Sequence, residues 1–271
     1  MPRLGGIALV GAAVVFGSAV LNWIVESVIF QPVRGAEIEP STLGLNGDEI
    51  FLESEGGIRI HAFYLHSARP DRVLLFLHGN AGNASHRLPN AAELVRLGTD
   101  VLLLDYRGYG RSAGTPSEAG VYADARAALA YLVDERGFAP GRVVLFGRSL
   151  GGAVAVDLAQ ERALGGVVLE STFTSVSDLG RSLLGPLGAL LGRGRFDSAR
   201  KIQALRAPVL FFHGDRDRTV PIELGRRLFE LAPDPKQFEV IAGADHNDTT
   251  LLGGRAYFER IAVFLDLVAP R

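Results

Sequence analysis

Gly147-Arg148-Ser149-Leu150-Gly151-Gly152 follows a β-branched apolar run, Arg142 to Phe146, and precedes a small-residue helical pattern, Gly152 to Ala159. A serine flanked by glycines two residues away on each side, at a strand-to-helix junction, is the setting of a nucleophile elbow. The turn is sharp enough to lift the hydroxyl above a sheet. The glycines let strand and helix crowd together without Cβ clashes. The chemistry implied is attack of a serine oxygen on a carbonyl carbon, with a covalent acyl intermediate. Serine is a weak nucleophile at neutral pH, so a base, an acid to orient it and donors for an oxyanion are required.

Elbow enzymes built on a parallel sheet run serine, acid, histidine along the chain. The run Phe211-Phe212-His213-Gly214-Asp215-Arg216-Asp217-Arg218-Thr219-Val220-Pro221 leaves a strand and offers two carboxylates. Asp217 is preferred because it lies further out on the loop. Asp215 is the alternative, and Glu170, at the end of the preceding strand, is third. Either aspartate could instead cap a turn. His246, in Ala242-Gly243-Ala244-Asp245-His246-Asn247, is the only histidine after Asp217 and is the candidate base. The oxyanion donors expected are the N–H of Leu150 and that of Asn80, in the loop His78-Gly79-Asn80-Ala81-Gly82-Asn83, with Ala81 as alternative. His78 precedes the nucleophile and is read as a brace for that loop.

These residues must be held by strands and helices, and the hydrophobic pattern supplies both. Residues 49–52 and 58–64 read as an antiparallel hairpin through Glu55-Gly56-Gly57. Continuous apolar runs at 73–77, 101–104, 143–146, 166–169 and 208–212 read as strands buried on both faces, followed by 238–241. Helical patterns at 90–97, 117–132, after Ser149 and at 256–268 alternate with them. This is an α/β chain with a mostly parallel sheet covered on both faces. Between Ser171 and Ala207 there is no strand, and 183–191 is greasy. That segment reads either as an ordinary crossover helix or as a small cap lining an acyl pocket or touching a membrane.

The N-terminus carries a second signal. No charged residue occurs from Leu4 to Leu21, about the length that spans a bilayer. Trp23 suits an interfacial position. Residues 1–30 are read as an uncleaved transmembrane anchor. A signal segment cleaved near Gly17-Ser18-Ala19 and a soluble helix are the alternatives. Arg3 before the span and Glu26 after it place the rest of the chain on the extracytoplasmic side by the positive-inside rule. Residues 31–48 read as a linker, and 49–271 as the catalytic domain, with the cap candidate at 171–207.

Composition closes off other chemistry. The 271 residues are 48% hydrophobic with a net charge of −2, which gives no electrostatic footprint for nucleic acid. There is no cysteine, so disulfides and thiolate chemistry are excluded. The six histidines lack metal-ligand spacing, and no cofactor is expected. The run Asp105-Tyr106-Arg107-Gly108-Tyr109-Gly110-Arg111-Ser112-Ala113-Gly114 approaches a dinucleotide fingerprint. Its last glycine is one position late, and the next strand lacks the ribose-binding acid.

Taken together, the runs at 78–83, 105–110, 147–152 and 213–217 resemble the α/β-hydrolase superfamily over about residues 45–270. They resemble most its membrane-anchored branch, which includes fungal bud-emergence hydrolases and animal depalmitoylating α/β-hydrolases. The resemblance implies the α/β-hydrolase fold and a membrane-anchored serine hydrolase. Its substrates would be small acyl esters or thioesters, with membrane lipid as its other partner. A peptidase or amidase with the same residues, or a non-catalytic membrane-tethered binding protein, are the alternatives.

Overall fold

A computed structural model describes residues 25–68 and 71–270. Of the transmembrane anchor expected at residues 1–30, residues 1–24 lie outside them. Among the described residues, no helix is long and apolar enough to cross a membrane.

Eight strands form one sheet: β1 (Gly47–Ser54), β2 (Ile58–Leu65), β3 (Val73–Leu77), β4 (Asp100–Leu104), β5 (Val143–Arg148), β6 (Gly166–Glu170), β7 (Val209–Gly214) and β8 (Lys236–Ile241). The spatial order is β8-β7-β6-β5-β3-β4-β2-β1. The β1–β2 hairpin and its junction with β4 are antiparallel, and every other pairing is parallel. The central strands β3 to β6 are buried on both faces, as their unbroken apolar runs require.

Alternation along each strand divides the core into two layers. Leu75, Leu102, Leu145 and Leu169 face one side, packed with Val121, Ala125 and Leu129 of α2 (Glu118–Ala130) and with α3 (Leu150–Leu158). Leu74, Phe76, Val144, Phe146 and Val168 face the other, against α1 (Leu88–Arg96) and the C-terminal helix (Thr249–Val268). Phe76 and Phe146 stack there at 4.6 Å. Each such side chain contributes about 1.5–3 kcal/mol by leaving water. Ser117 caps α2 by accepting from the Gly120 N–H at 3.2 Å.

Two segments depart from a plain reading of the sequence. The greasy stretch is α4 (Val176–Leu191), broken at Gly185 (φ 65°), where the chain reverses. The halves lie back to back. A Cβ on Gly180 would strike the Gly188 carbonyl, and Ser177 Oγ donates to Ala189 O at 2.9 Å. It is a helical hairpin, possible because small residues face each other across it. Residues 31–34, expected as linker, are bonded to the domain. Gln31–Pro32 pairs in parallel with Ala81–Gly82, and Arg34 donates to the Ser112 and Gly114 carbonyls. Just before them, Ile29 and Phe30 are buried, with Phe30 edge-on to Phe196 at 6.0 Å. Apolar side chains at 25–30 thus find a surface on the domain.

Candidate active site

The carboxyl ends of the parallel strands carry the loops that bear the candidate residues, as open α/β sheets arrange their sites. Ser149 sits between β5 and α3 with φ 53° and ψ −117°, a backbone conformation that costs a non-glycine residue of order 1–3 kcal/mol. The turn is over-determined. Ser149 N–H donates to Glu170 O at 2.8 Å, and Thr172 Oγ1 donates to Ser149 O at 2.9 Å. A Cβ on Gly151 would collide with the Leu77 carbonyl, so only glycine lets α3 start this close to the end of β3.

The structure brings Ser149, His246 and Asp217 together from three loops. His246 Nε2 lies 3.1 Å from Ser149 Oγ, and His246 Nδ1 lies 2.8 Å from Asp217 Oδ2. The carboxylate accepts the Nδ1 proton, which leaves Nε2 free to accept from the serine hydroxyl. All three residues are buried, each with a trace of exposure that leaves the serine reachable. Asp217 Oδ1 is held by the N–H groups of Thr219 at 2.9 Å and Val220 at 2.7 Å. Burial opposes ionisation of Asp217. Hydrogen bonds from His213 and His246, and from the Val220 N–H, outweigh it and hold its carboxyl far below the usual carboxylate range.

Geometry separates the three acid candidates. Asp215 is exposed and accepts from Gly243 N–H at 2.6 Å, fixing the turn after β8. Glu170 is fully buried but occupied. It pairs with Arg148 Nε at 3.0 Å, accepts from Thr249 Oγ1 at 2.6 Å and accepts from the Tyr257 hydroxyl. Only Asp217 reaches His246.

The oxyanion side is built by peptide orientation. His78 Nδ1 donates to Gly79 O at 2.7 Å. Because that peptide is trans, its N–H, which belongs to Asn80, points the opposite way. Tyr109 Oη donates to Asn80 O at 2.7 Å and Tyr106 Oη to His78 O at 3.1 Å. Burial pushes both phenols up and keeps them as neutral donors. The run at 105–114 that approaches a nucleotide fingerprint therefore braces this loop. Asn80, Ser149 and Leu150 all line one cavity. The Leu150 N–H stands at the α3 N-terminus, where helical amides lack internal acceptors.

Three supporting residues escaped sequence reasoning. Arg148 donates to His246 O at 2.7 Å and to Asn247 Oδ1 at 3.1 Å, tying the histidine loop to the elbow. His213 donates to Val220 O at 2.8 Å and sits 3.4 Å from Asp217. Arg218 grips Asp245 through two nitrogens at 2.8 and 2.6 Å, joining the acid and histidine loops. No sequence signal marks the first two, since their partners lie in other loops or on the backbone.

The cavity beside Ser149 has a volume of about 410 Å³. Its walls include Val25 and Ile29 from the N-terminal segment, Phe173, and Val176, Leu179 and Leu183 of the hairpin. Among the described residues, no charged side chain lines it. Among the described residues, no group of three or more His, Cys, Asp or Glu could hold a metal ion.

Sheet order, elbow and strand-end loops define the α/β-hydrolase class. The family described as serine aminopeptidase, S33, matches residues 68–195. Protein Rv2307c of Mycobacterium tuberculosis is 37% identical over 98% of this chain and 94% of its own. Protein bem46 of Schizosaccharomyces pombe is 36% identical over 83% of this chain and 79% of its own. Among solved structures, an esterase of Pyrococcus furiosus superposes with a TM-score of 0.76 at 21% identity, over 89% of this chain and 98% of that one. The chain belongs to the α/β-hydrolases, in the bem46-like branch, and is a hydrolase by family.

Proposed function

We propose that this chain is a membrane-anchored serine hydrolase that cleaves carboxylic esters or thioesters bearing an acyl chain. The observation that carries the reading is the uncharged cavity of about 410 Å³ opening on Ser149. Such a lining favours a hydrocarbon chain and offers nothing to a charged substrate group. Ser149 Oγ attacks the carbonyl carbon as His246 Nε2 takes the hydroxyl proton. The Asn80 and Leu150 N–H groups receive the carbonyl oxygen as it becomes an oxyanion. Collapse breaks the bond to the leaving alcohol or thiol, which takes the proton from His246. Water, deprotonated by His246, then attacks the acyl carbon and frees Ser149 and the carboxylic acid. Asp217 holds the imidazole in the required tautomer and stabilises its protonated form.

A peptidase or amidase is the second reading, favoured by the description of the matching family. An aminopeptidase must neutralise a substrate ammonium, and among the described residues no carboxylate lines the cavity, so the ester reading is preferred. A panel of acyl esters, acyl thioesters and amino-acid anilides decides between them. Anilide turnover exceeding that of the esters overturns the first reading. Failure of a fluorophosphonate probe to label folded protein would instead favour a binding protein.

The uncharged run from Leu4 to Leu21 supports the anchor, and Arg3 before it supports an extracytoplasmic domain. The full chain should resist a carbonate wash of membranes, and a variant lacking residues 1–24 should be released. The cut belongs there and not further on, because residues 25–34 contribute Ile29 and Phe30 to the core and pair with the oxyanion loop.

A further inference from the structure

The helical hairpin ends in apolar side chains that the domain does not cover. Leu183, Leu184, Leu187 and Leu190 are 53%, 68%, 64% and 64% exposed. Four large exposed leucines on one short hairpin are unusual on a surface that faces only water. The cluster is not inherited from the core, since Leu187 and Leu190 line no part of the cavity. Leu183 and Leu184 do line it, so the exposed tip is also the cavity's outer wall.

The charge on the hairpin itself is basic. Between Asp178 and Asp197 at its base it carries Arg181, Arg193 and Arg195, the last paired with Glu26. Arg181 and Arg193 are exposed. Leucines at a tip with arginines behind them match the layering of a bilayer surface, acyl chains beneath anionic headgroups.

The chain's own path points to the same place. Val25 and Val28, the latter 65% exposed, line the same cavity as Leu183 and Leu184. Glu26 pairs with Arg195 at 3.6 Å, fastening this segment to the hairpin's base. Val25 lies only four positions after Leu21, and no charged residue intervenes. Even fully extended, that stretch reaches no more than about 14 Å. A bilayer that holds residues 4–21 therefore lies within that reach of the cavity wall.

We infer that the hairpin tip, Leu183 to Leu190, docks into the lipid surface, so that the cavity opens toward the acyl layer and receives acyl chains from it. The inference rests on the anchor reading for the N-terminal run. Its occupant is a lipid bilayer with anionic headgroups.

The chain has no native cysteine, which makes a single labelling site clean. Full-length Leu187→Cys, carrying an environment-sensitive fluorophore, is reconstituted into vesicles of phosphatidylcholine and phosphatidylglycerol. A matched label at Glu135→Cys, at the exposed end of the helical segment Tyr131–Glu135 that continues α2, is the control. The label at 187 should shift to the blue and be quenched by spin-labelled lipid, and the label at 135 should do neither. A blue shift without lipid quenching marks a second copy of the chain on the hairpin and overturns the inference. A water-like signal at 187 in protein that stays with the vesicles overturns docking but leaves the anchor standing. Protein that does not stay with the vesicles overturns both.

Activity gives a second measure. Leu187→Asp with Leu190→Asp should lower turnover of a long-chain ester embedded in those vesicles about tenfold. Hydrolysis of p-nitrophenyl acetate should stay within about twofold of wild type, because neither residue lines the cavity. Unchanged turnover of both substrates overturns the inference. Loss of both points to a damaged hairpin, and the fluorescence at 187 then decides.

Discussion

Two aspartates in this molecule each sit between two histidines, and the two settings differ in one respect. Asp217 holds His246 at 2.8 Å with His213 at 3.4 Å. Asp105, just after β4, accepts from His61 Nδ1 at 2.8 Å and from Ala84 N–H at 2.7 Å, with His78 Nε2 further off at 3.6 Å. Burial opposes ionisation at both, and in both the histidine and amide hydrogen bonds win, so both carboxyls lie below their ordinary range. What separates them is the third partner. His246 faces a strained serine at the edge of a cavity. His61 and His78 are sealed among Phe63, Tyr106 and Tyr109, with no nucleophile to serve. An Asp–His pair is thus a structural unit by default and becomes chemical where a nucleophile and access are added.

The comparison is tested most severely at the nucleophile. Ser149→Ala should lower ester turnover by about 10⁶-fold and abolish probe labelling with the thermal midpoint kept. Residual activity within tenfold of wild type would remove the distinction between the two sites.

Asp217→Asn should cost about four decades in kcat, because the amide no longer selects the imidazole tautomer. Asp215→Asn, on an exposed turn, should cost no more than about twofold in the same assay. A reversed order would mean that the acid is Asp215 and that His246 moves during turnover.

The sealed pair touches catalysis only through the loop it braces. His78→Ala should lower kcat about 10–100-fold, by freeing the peptide that aims the Asn80 N–H, with KM changed little. A change in KM alone would assign His78 to substrate binding instead.

Asp105→Asn should appear mainly as instability. Unpairing these buried groups costs about 2 kcal/mol, or a fall of about 4–8 °C in thermal midpoint, with kcat within tenfold. The depressed carboxyl fixes the sign with pH. Its contribution is complete above the unfolded value of about 4 and is lost as pH falls toward the folded one. The stability gap between wild type and Asp105→Asn should be full at about pH 6 and narrow below about pH 4. A gap that widens in acid would show that Asp105 is not held as an anion.

Much of the architecture was legible because it is written in short periods. The unbroken runs at 73–77 and 143–146 are buried strands, and the alternating 58–64 run is half of the antiparallel hairpin. The helix opened by Ser117 begins where its cap predicts. The 31–34 stretch was less legible. Its polar and Pro/Gly character suits a tether, yet its backbone pairs with Ala81–Gly82 and Gly110, and composition does not encode such a partner. The hairpin was half legible. Its apolar content stood out, but the reversal at Gly185 depends on Gly180 and Gly188 meeting face to face.

By itself the sequence singled out Ser149 as the candidate nucleophile, His246 as the candidate base, and the strands, in chain order, that carry them. An elbow is a contiguous geometry, a lone histidine after the acid leaves no competitor, and strand burial imposes a pattern on neighbouring residues. Only the tertiary structure decided between Asp215 and Asp217, which are two residues apart and chemically identical. One faces solvent and the other faces His246, 29 positions further on. Only it disclosed that Arg148 secures the histidine loop across 98 positions, and that Val25, Val28 and Ile29 wall the cavity. These are contacts between distant segments, set by how whole layers pack, and no local pattern in the chain records them.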